Sequence, residues 1–221
     1  MTNAIKGNRQ WRRTRAALLA AGEQLFADRP VDGVTVDQIV MAADVGKGSF
    51  YNHFEDKDAL ARAIHDRVQE DVESGVRACN ASITDPAQRI VRGFCWFVAY
   101  ARSHPHRLQT IMRLADERTF AQSPLNVQLA AEMQNGIDKG SLYGVDIQTA
   151  VLVMSGLSRA TLVHLTGDGK DQSAQGVAAS VGHALLRALG IADQEAKEIA
   201  REAAREIVLS QPNGVSALEP R

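Results

Sequence analysis

Leu60, Ile64, Val68, Val72 and Val76 recur at intervals of four. That spacing puts five apolar side chains on one stripe of a long helix, whereas on a strand the same face would also carry Arg62, Asp66, Glu70 and Ser74. Helix punctuation continues along the chain. Trp11, Leu18 and Leu25, with Leu19 and Phe26, form the stripe of a first helix over roughly 10–28, which "DRPVDG" breaks. Thr35 followed by Gln38 is a capping box for a second helix. A third, short helix spans about 46–53. Asp56 can cap the long fourth one. Asp85-Pro86 and Ser123-Pro124 are caps followed by proline at the first helical position. Pro105 and residue 172 open further helices, Asp146 and Asp193 can cap two more, and Gly190 stands just past the end of one. The expected fold is all-α, about ten helices and no strands. The expected parts are an N-terminal three-helix unit over 1–56, a larger helical domain over 57–210 and a flexible tail over 211–221.

Composition narrows the class. Apolar residues make up 45% and charged residues 23% of 221, as in an ordinary globular protein. The net charge of -1 announces no nucleic-acid partner, but its distribution is uneven. Lys6, Arg9, Arg12, Arg13 and Arg15 fall in the first fifteen residues without an acid. A solvated basic end and a phosphate-seeking arm both fit that run. Cys79 and Cys95 show no metal-ligand spacing and read as reduced thiols of a cytoplasmic protein. "AALLAAG" after the arginines imitates a secretion signal, but Glu23 and Asp28 follow at once and the helical spacing continues. No apolar run approaches the ~18 residues of a membrane span.

The stretch "AADVGKGSFYNHFEDKDAL", residues 42–60, carries the functional signal. Two helices joined by the tight turn "ADV" fit residues 35–53. Phe50, Phe54, Ile39 and Val45 are the inward set, and Lys47, Gly48, Ser49 and Asn52 the outward one. This is the layout of a helix-turn-helix, in which the second helix enters the DNA major groove. Gly48 would let that helix approach closely, at a cost of up to ~1 kcal/mol of helix propensity. The plainer alternative is that Gly46 and Gly48 sit in a forgiving first turn.

The run from "RAALLAAGEQLFA" through "GVTVDQIVMAADVGKGSFYNHFEDKDAL" closely resembles the TetR family of one-component regulators, over about residues 12–60. The resemblance implies that Thr35 caps helix 2 and touches a phosphate and that Gln38 reaches toward the groove. It implies that Lys47, Gly48, Ser49 and Asn52 face base edges, while Tyr51, His53 and Lys57 grip phosphates. The chemistry agrees, since lysine donates to guanine and asparagine pairs with adenine, whereas phosphate contacts position without specifying. Three departures from the family pattern stand out: Asp44 in place of the turn glycine, Gly46 in place of a serine or threonine cap, and Asn52 in place of an aromatic. Aspartate tolerates left-handed backbone, so the turn is expected to survive.

The resemblance also implies an effector pocket and a dimer interface in the larger domain. Phe94, Phe97, Val98, Ile111, Met112, Leu129, Met133 and Met154 are the candidate pocket lining, with His164, Trp96 and Tyr100 as polar anchors. An aromatic and methionine stripe at helical spacing equally describes plain core. Leu152, Gly156, Val163, Val181, Gly182, Leu185 and Leu189 are the candidate interface between two copies, with an intramolecular core as the other reading. The expected partners are duplex DNA, a second copy and a small effector, with no membrane. No catalytic set, metal set or cofactor motif is found, so neither an enzyme nor a cofactor is expected. Control by a protein partner instead of a small ligand stays open, as does repression against activation.

Overall fold

A computed structural model describes residues 2–114, 124–167, 169 and 172–209, with side chains for all of these except 2–8, 111–114 and 124–126. Among the described residues there are ten α-helices and no strand. They are α1 (Thr2–Asp28), α2 (Val36–Ala42), α3 (Lys47–Tyr51), α4 (Lys57–Cys79), α5 (Pro86–Ser103), α6 (Pro105–Leu114), α7 (Pro124–Asp138), α8 (Ile147–Thr166), α9 (Ala174–Ala188) and α10 (Asp193–Val208), with a 3-10 turn at Val31–Gly33. The Ser123 cap and the tail 211–221 lie outside the described residues. None of the described helices is long and apolar enough to cross a membrane.

Two boundaries differ from expectation. Helix α1 starts at Thr2, well before residue 10; Gly7 is the one poor helix former ahead of Arg9, and its cost of roughly 1 kcal/mol does not stop propagation. Asp193 does not cap α10 but is its first residue, behind Ala192. Its carboxylate instead meets His183 at 3.0 Å and Arg187 at 3.5 Å.

The described residues divide into two compact units, with the division inside α4 between Glu70 and Asp71. The expected boundary at 56/57 is where α4 begins. The first unit holds α1 to α3, the first part of α4 and most of α6. Its core gathers Leu18, Phe26, Ile39, Phe50, Leu60 and Ile64, all fully covered. Full burial of one such side chain contributes about 1.5–3 kcal/mol. Arg107 of α6 pairs with Glu23 of α1 at 3.1 Å, and Thr110 donates to the Glu23 carbonyl at 2.9 Å.

In the second unit α5 packs against α7, α8, α9 and α10. Twelve of its eighteen residues are buried, so it reads as apolar nearly all round. Polar clasps hold its start. Arg89 forks onto Glu132 of α7 at 2.8 and 2.5 Å and donates to the carbonyls of Asn80 and Ile83. Arg92 donates twice to the Cys79 carbonyl and pairs with Glu206. Both cysteines are free. Burial pushes the Cys95 thiol up to about 12 and raises Cys79 as well, so both stay protonated.

Trp96, Tyr100 and His104 stack along α5, with ring centroids 5.1 and 4.5 Å apart. The Tyr100 hydroxyl donates to Asp71 of α4 at 3.2 Å. Gly75 of α4 lies flat against this ladder, and a Cβ there would stand 1.8 Å from the Trp96 ring. Gly75→Ala is therefore expected to lower stability by about 1–3 kcal/mol. Urea denaturation followed by tryptophan fluorescence measures it, and an unchanged midpoint would show that the ring moves aside freely.

Candidate nucleic-acid interface

The first unit presents a short helix on an apolar footing. Helix α3 has five residues, too few to stand alone in water. Phe50, fully buried, and Phe54, nearly so, hold it down, with their rings 5.9 Å apart. The opposite face is open. Lys47, Gly48 and Asn52 are exposed and Ser49 half-buried. A Cβ at Gly48 would have no neighbour within 4 Å, so the glycine answers no steric demand inside this chain.

The turn before α3 is built as its chemistry predicts. Asp44 adopts a left-handed φ of 52°, which aspartate accepts more readily than most residues. Gly46 stands at the N-cap without a side-chain bond. Helix α2 is clamped better: the Thr35 N–H donates to Gln38 Oε1 at 3.0 Å, and the Gln38 N–H donates to Thr35 Oγ1 at 3.2 Å. This reciprocal box occupies the Gln38 side chain that the resemblance sends toward the groove.

Both lysines have partners that sequence reading missed. Lys47 Nζ lies 2.8 Å from Asp37 of α2, and that bond raises its pKa. An exposed pair of this kind contributes little and opens when a stronger partner competes. Lys57 Nζ donates to the Val34 carbonyl at 3.4 Å and lies 3.5 Å from Asp32. The start of α4 is thereby tied to the turn that precedes α2. Spacing alone hides such pairs, because they join residues 10 and 25 positions apart.

Tyr51 is 54% exposed, with its ring edge-on to Phe50, which supports it. His53 is half-buried, 4.6 Å from the ring of Trp11 on α1. Arg15, one turn beyond Trp11, lays its guanidinium 4.8 Å over Phe54. Burial first, and the charge of Arg15 second, hold the His53 pKa below its ordinary 6.5. A neutral imidazole still has one N–H to offer a phosphate oxygen. Trp11 and Arg15 join the site through α1, and the only signal in the sequence was their shared face four residues apart.

The lowered pKa has a consequence for stability. Below about pH 6.5 the unfolded chain protonates His53 before the folded one does, so stability declines as pH falls from there through the folded value. His53→Phe keeps a ring against Trp11 and removes the titration. It is expected to make that acid-side decline shallower in denaturation curves taken between pH 7 and pH 5; an identical slope would show that His53 carries none of it.

The other predicted residues lie in the second unit, apart from Ile111 and Met112, whose side chains are outside the described residues. Phe94, Val98, Met133 and Met154 are buried, and Phe97 and Leu129 half-buried. His164 is not among them: it is exposed, on an open groove of about 610 Å³ lined by Gly156, Arg159, Ala160, Val163, His164 and Gly167. Of the interface candidates, Leu152 is 72% and Val163 58% exposed, and Gly156 has open space before it. Leu185 and Leu189 are fully covered by their own chain. A side chain at Gly182 would meet Val91 of α5 at 2.8 Å. These three are spent on packing within the unit, and Val181 is half-buried.

Comparison with known proteins agrees with this architecture. Residues 18–64 match the family model described as "Bacterial regulatory proteins, tetR family", and residues 85–202 match "Tetracyclin repressor-like, C-terminal domain". The chain is 32% identical over 80 residues to the HTH-type transcriptional repressor DhaR of Mycobacterium sp. (strain GP1), covering 36% of this chain and 40% of DhaR. It is 34% identical over 90 residues to the repressor NemR of Escherichia coli (strain K12), covering 37% and 45%. It is 36% identical over 86 residues to the HTH-type transcriptional activator FasR of Mycolicibacterium smegmatis, covering 38% and 39%. The chain thus spans less than half the length of these curated relatives. Two solved structures share the fold. RolR in complex with resorcinol gives a TM-score of 0.59 at 22% identity, over 95% of this chain and all of that one. A gamma-butyrolactone receptor, an ArpA-like protein, gives 0.69 at 19% identity, over 89% and 99%. The matched family and relatives are transcriptional regulators, not enzymes.

Proposed function

The chain belongs to the TetR family of bacterial transcriptional regulators, and on that premise we propose that it is a ligand-responsive repressor that binds a near-palindromic operator as a dimer in the cytoplasm. The observation that carries the reading is the open outer face of α3 above a fully buried Phe50. Lys47, Ser49 and Asn52 would read base edges, and Gly48 would admit the helix deep into the groove. Thr35, Tyr51, His53 and Lys57 would hold phosphates, and Gln38 would stabilise α2 through its cap. Sequencing duplexes retained by the protein from a random pool gives the operator. Asn52→Ala is then expected to relax preference at one base position by about 1–3 kcal/mol. Unchanged preference would move the reading face elsewhere.

A second copy would cover α8. Leu152, Gly156, Ala160 and Val163 follow one another around one stripe, and two of the large apolar side chains on it are mostly exposed. A two-fold dimer would set two copies of α3 about 34–36 Å apart, one helical turn of DNA. Leu152→Glu is expected to give a monomer in sedimentation and to weaken operator binding at least tenfold. A variant that stays dimeric would place the interface away from α8.

The effector would be small and largely apolar, held among Phe94, Phe97, Val98, Leu129, Met133 and Met154. RolR binds resorcinol, which supports a small-molecule ligand for a chain of this fold. Such a ligand acts only through its preference for one conformation, typically ~1–3 kcal/mol of coupling. The complete burial of Phe94, Val98 and Met133 favours a second reading, in which a protein partner replaces the ligand. Titrating small apolar compounds against operator binding separates the two.

A further inference from the structure

The helix-turn-helix segment is short of the charge that DNA demands. Between Arg29 and Leu60 there are three bases, Arg29, Lys47 and Lys57, against six acids, Asp32, Asp37, Asp44, Glu55, Asp56 and Asp58. Two of the three bases are already engaged, Lys47 with Asp37 and Lys57 with Asp32. A duplex carries one negative charge per ~1.7 Å, and most of a binder's affinity comes from neutralising it. Hydroxyls and amides on α3 can read bases, but a segment with a net charge of -3 is repelled by the backbone around them.

The missing charge stands on α1. Arg9, Arg12 and Arg13 are exposed. None of them makes a hydrogen bond or ion pair with the described residues. No acid occurs before Glu23. At 3.6 residues per turn the three side chains fall within roughly 100° of arc, on the side of α1 turned away from Trp11. Trp11 is the residue that packs on His53, two positions past the end of α3, and Arg15 packs on Phe54. Those contacts fix this stretch of α1 against the end of α3, and the three exposed arginines project from the same turns of α1.

We propose that the turn of α1 from Arg9 to Arg13 is a second DNA-contacting surface, which lies on the phosphate backbone beside the groove that α3 enters and supplies much of the electrostatic hold. The inference rests on the helix-turn-helix reading. It adds a division of labour in which α3 specifies and α1 grips. Contacts of this kind position a protein on DNA without carrying sequence information.

The test uses the full chain, a duplex that the wild type enriches from a random-sequence pool, and an unrelated duplex of the same length. Affinity is measured against salt for the wild type and for the triple variant Arg9→Ala, Arg12→Ala, Arg13→Ala. The slope of log affinity against log salt is expected to shrink by about 2.7 if all three touch phosphate, at ~0.9 per contact. The loss should be equal on both duplexes, so their affinity ratio stays put. Replacing the three arginines by lysine should restore the slope. The exposed pair Arg201→Ala, Arg205→Ala on α10 serves as a control and should leave it unchanged. A triple variant with the wild-type slope overturns the proposal, as does one whose base preference changes instead of its uniform hold. A wild type that enriches no duplex overturns the helix-turn-helix reading itself.

Discussion

The burial of Phe50 is the contact on which the rest of the first unit's surface depends. A five-residue helix has one or two intrahelical hydrogen bonds and cannot offset the entropy of ordering its backbone. It persists because Phe50, fully covered among Leu18, Ile39, Leu60 and Ile64, fastens it to three other helices. The exposed positions on either side are consequently free to be chosen for something other than stability. Gly48 is a poor choice for a helix surface that had only to be stable. The core relieves the outer face of that duty, and this is why an unfavourable glycine can sit there.

The second unit rests on a different balance. Helix α5 is buried almost throughout, and its apolar bulk alone would not fix where its neighbours lie. The guanidinium of Arg89 does part of that fixing, with both carboxylate oxygens of Glu132 and two loop carbonyls satisfied at once. A half-satisfied group in that position would cost more than it contributed, because a partly buried charge must recover its lost hydration. Arg92 repeats the arrangement with the Cys79 carbonyl and Glu206. The two arginines, three residues apart, close the end of the α4–α5 connection.

The helical layout was legible because its signals are local. Thr35 with Gln38, Asp56, Asp85 and Asp146 all accept the backbone bonds expected of caps. Asp44 takes the left-handed turn that its short polar side chain permits. Illegible features depend on what meets across the fold. Nothing near Asp193 in sequence shows that His183 waits ten residues away to draw its carboxylate off the cap. Gly182 and Leu185 have the small-and-apolar pattern of a subunit interface, yet the same pattern serves close packing of α9 on α5. His164 faces the outer groove and not the core with Met154, since 3.6 residues per turn leaves positions ten apart roughly 80° short of three full turns. Periodicity says which residues share a face; it does not say what covers that face.

Charge explains why the interface is spread over more than the helix-turn-helix. Three of the six acids near α3 serve locally: Asp37 holds Lys47, Asp32 holds Lys57, and Asp56 caps α4. These contacts order a short, otherwise weak motif, and they neutralise the bases that would attract phosphate. A long α1 resolves the conflict because Trp11 and Arg15 pack on His53 and Phe54 while Arg9, Arg12 and Arg13 stand exposed. Its remaining positions can carry unpaired arginines without disturbing a cap or a turn. Local order and long-range attraction make opposite demands on the same side chains, so this chain meets them with different helices.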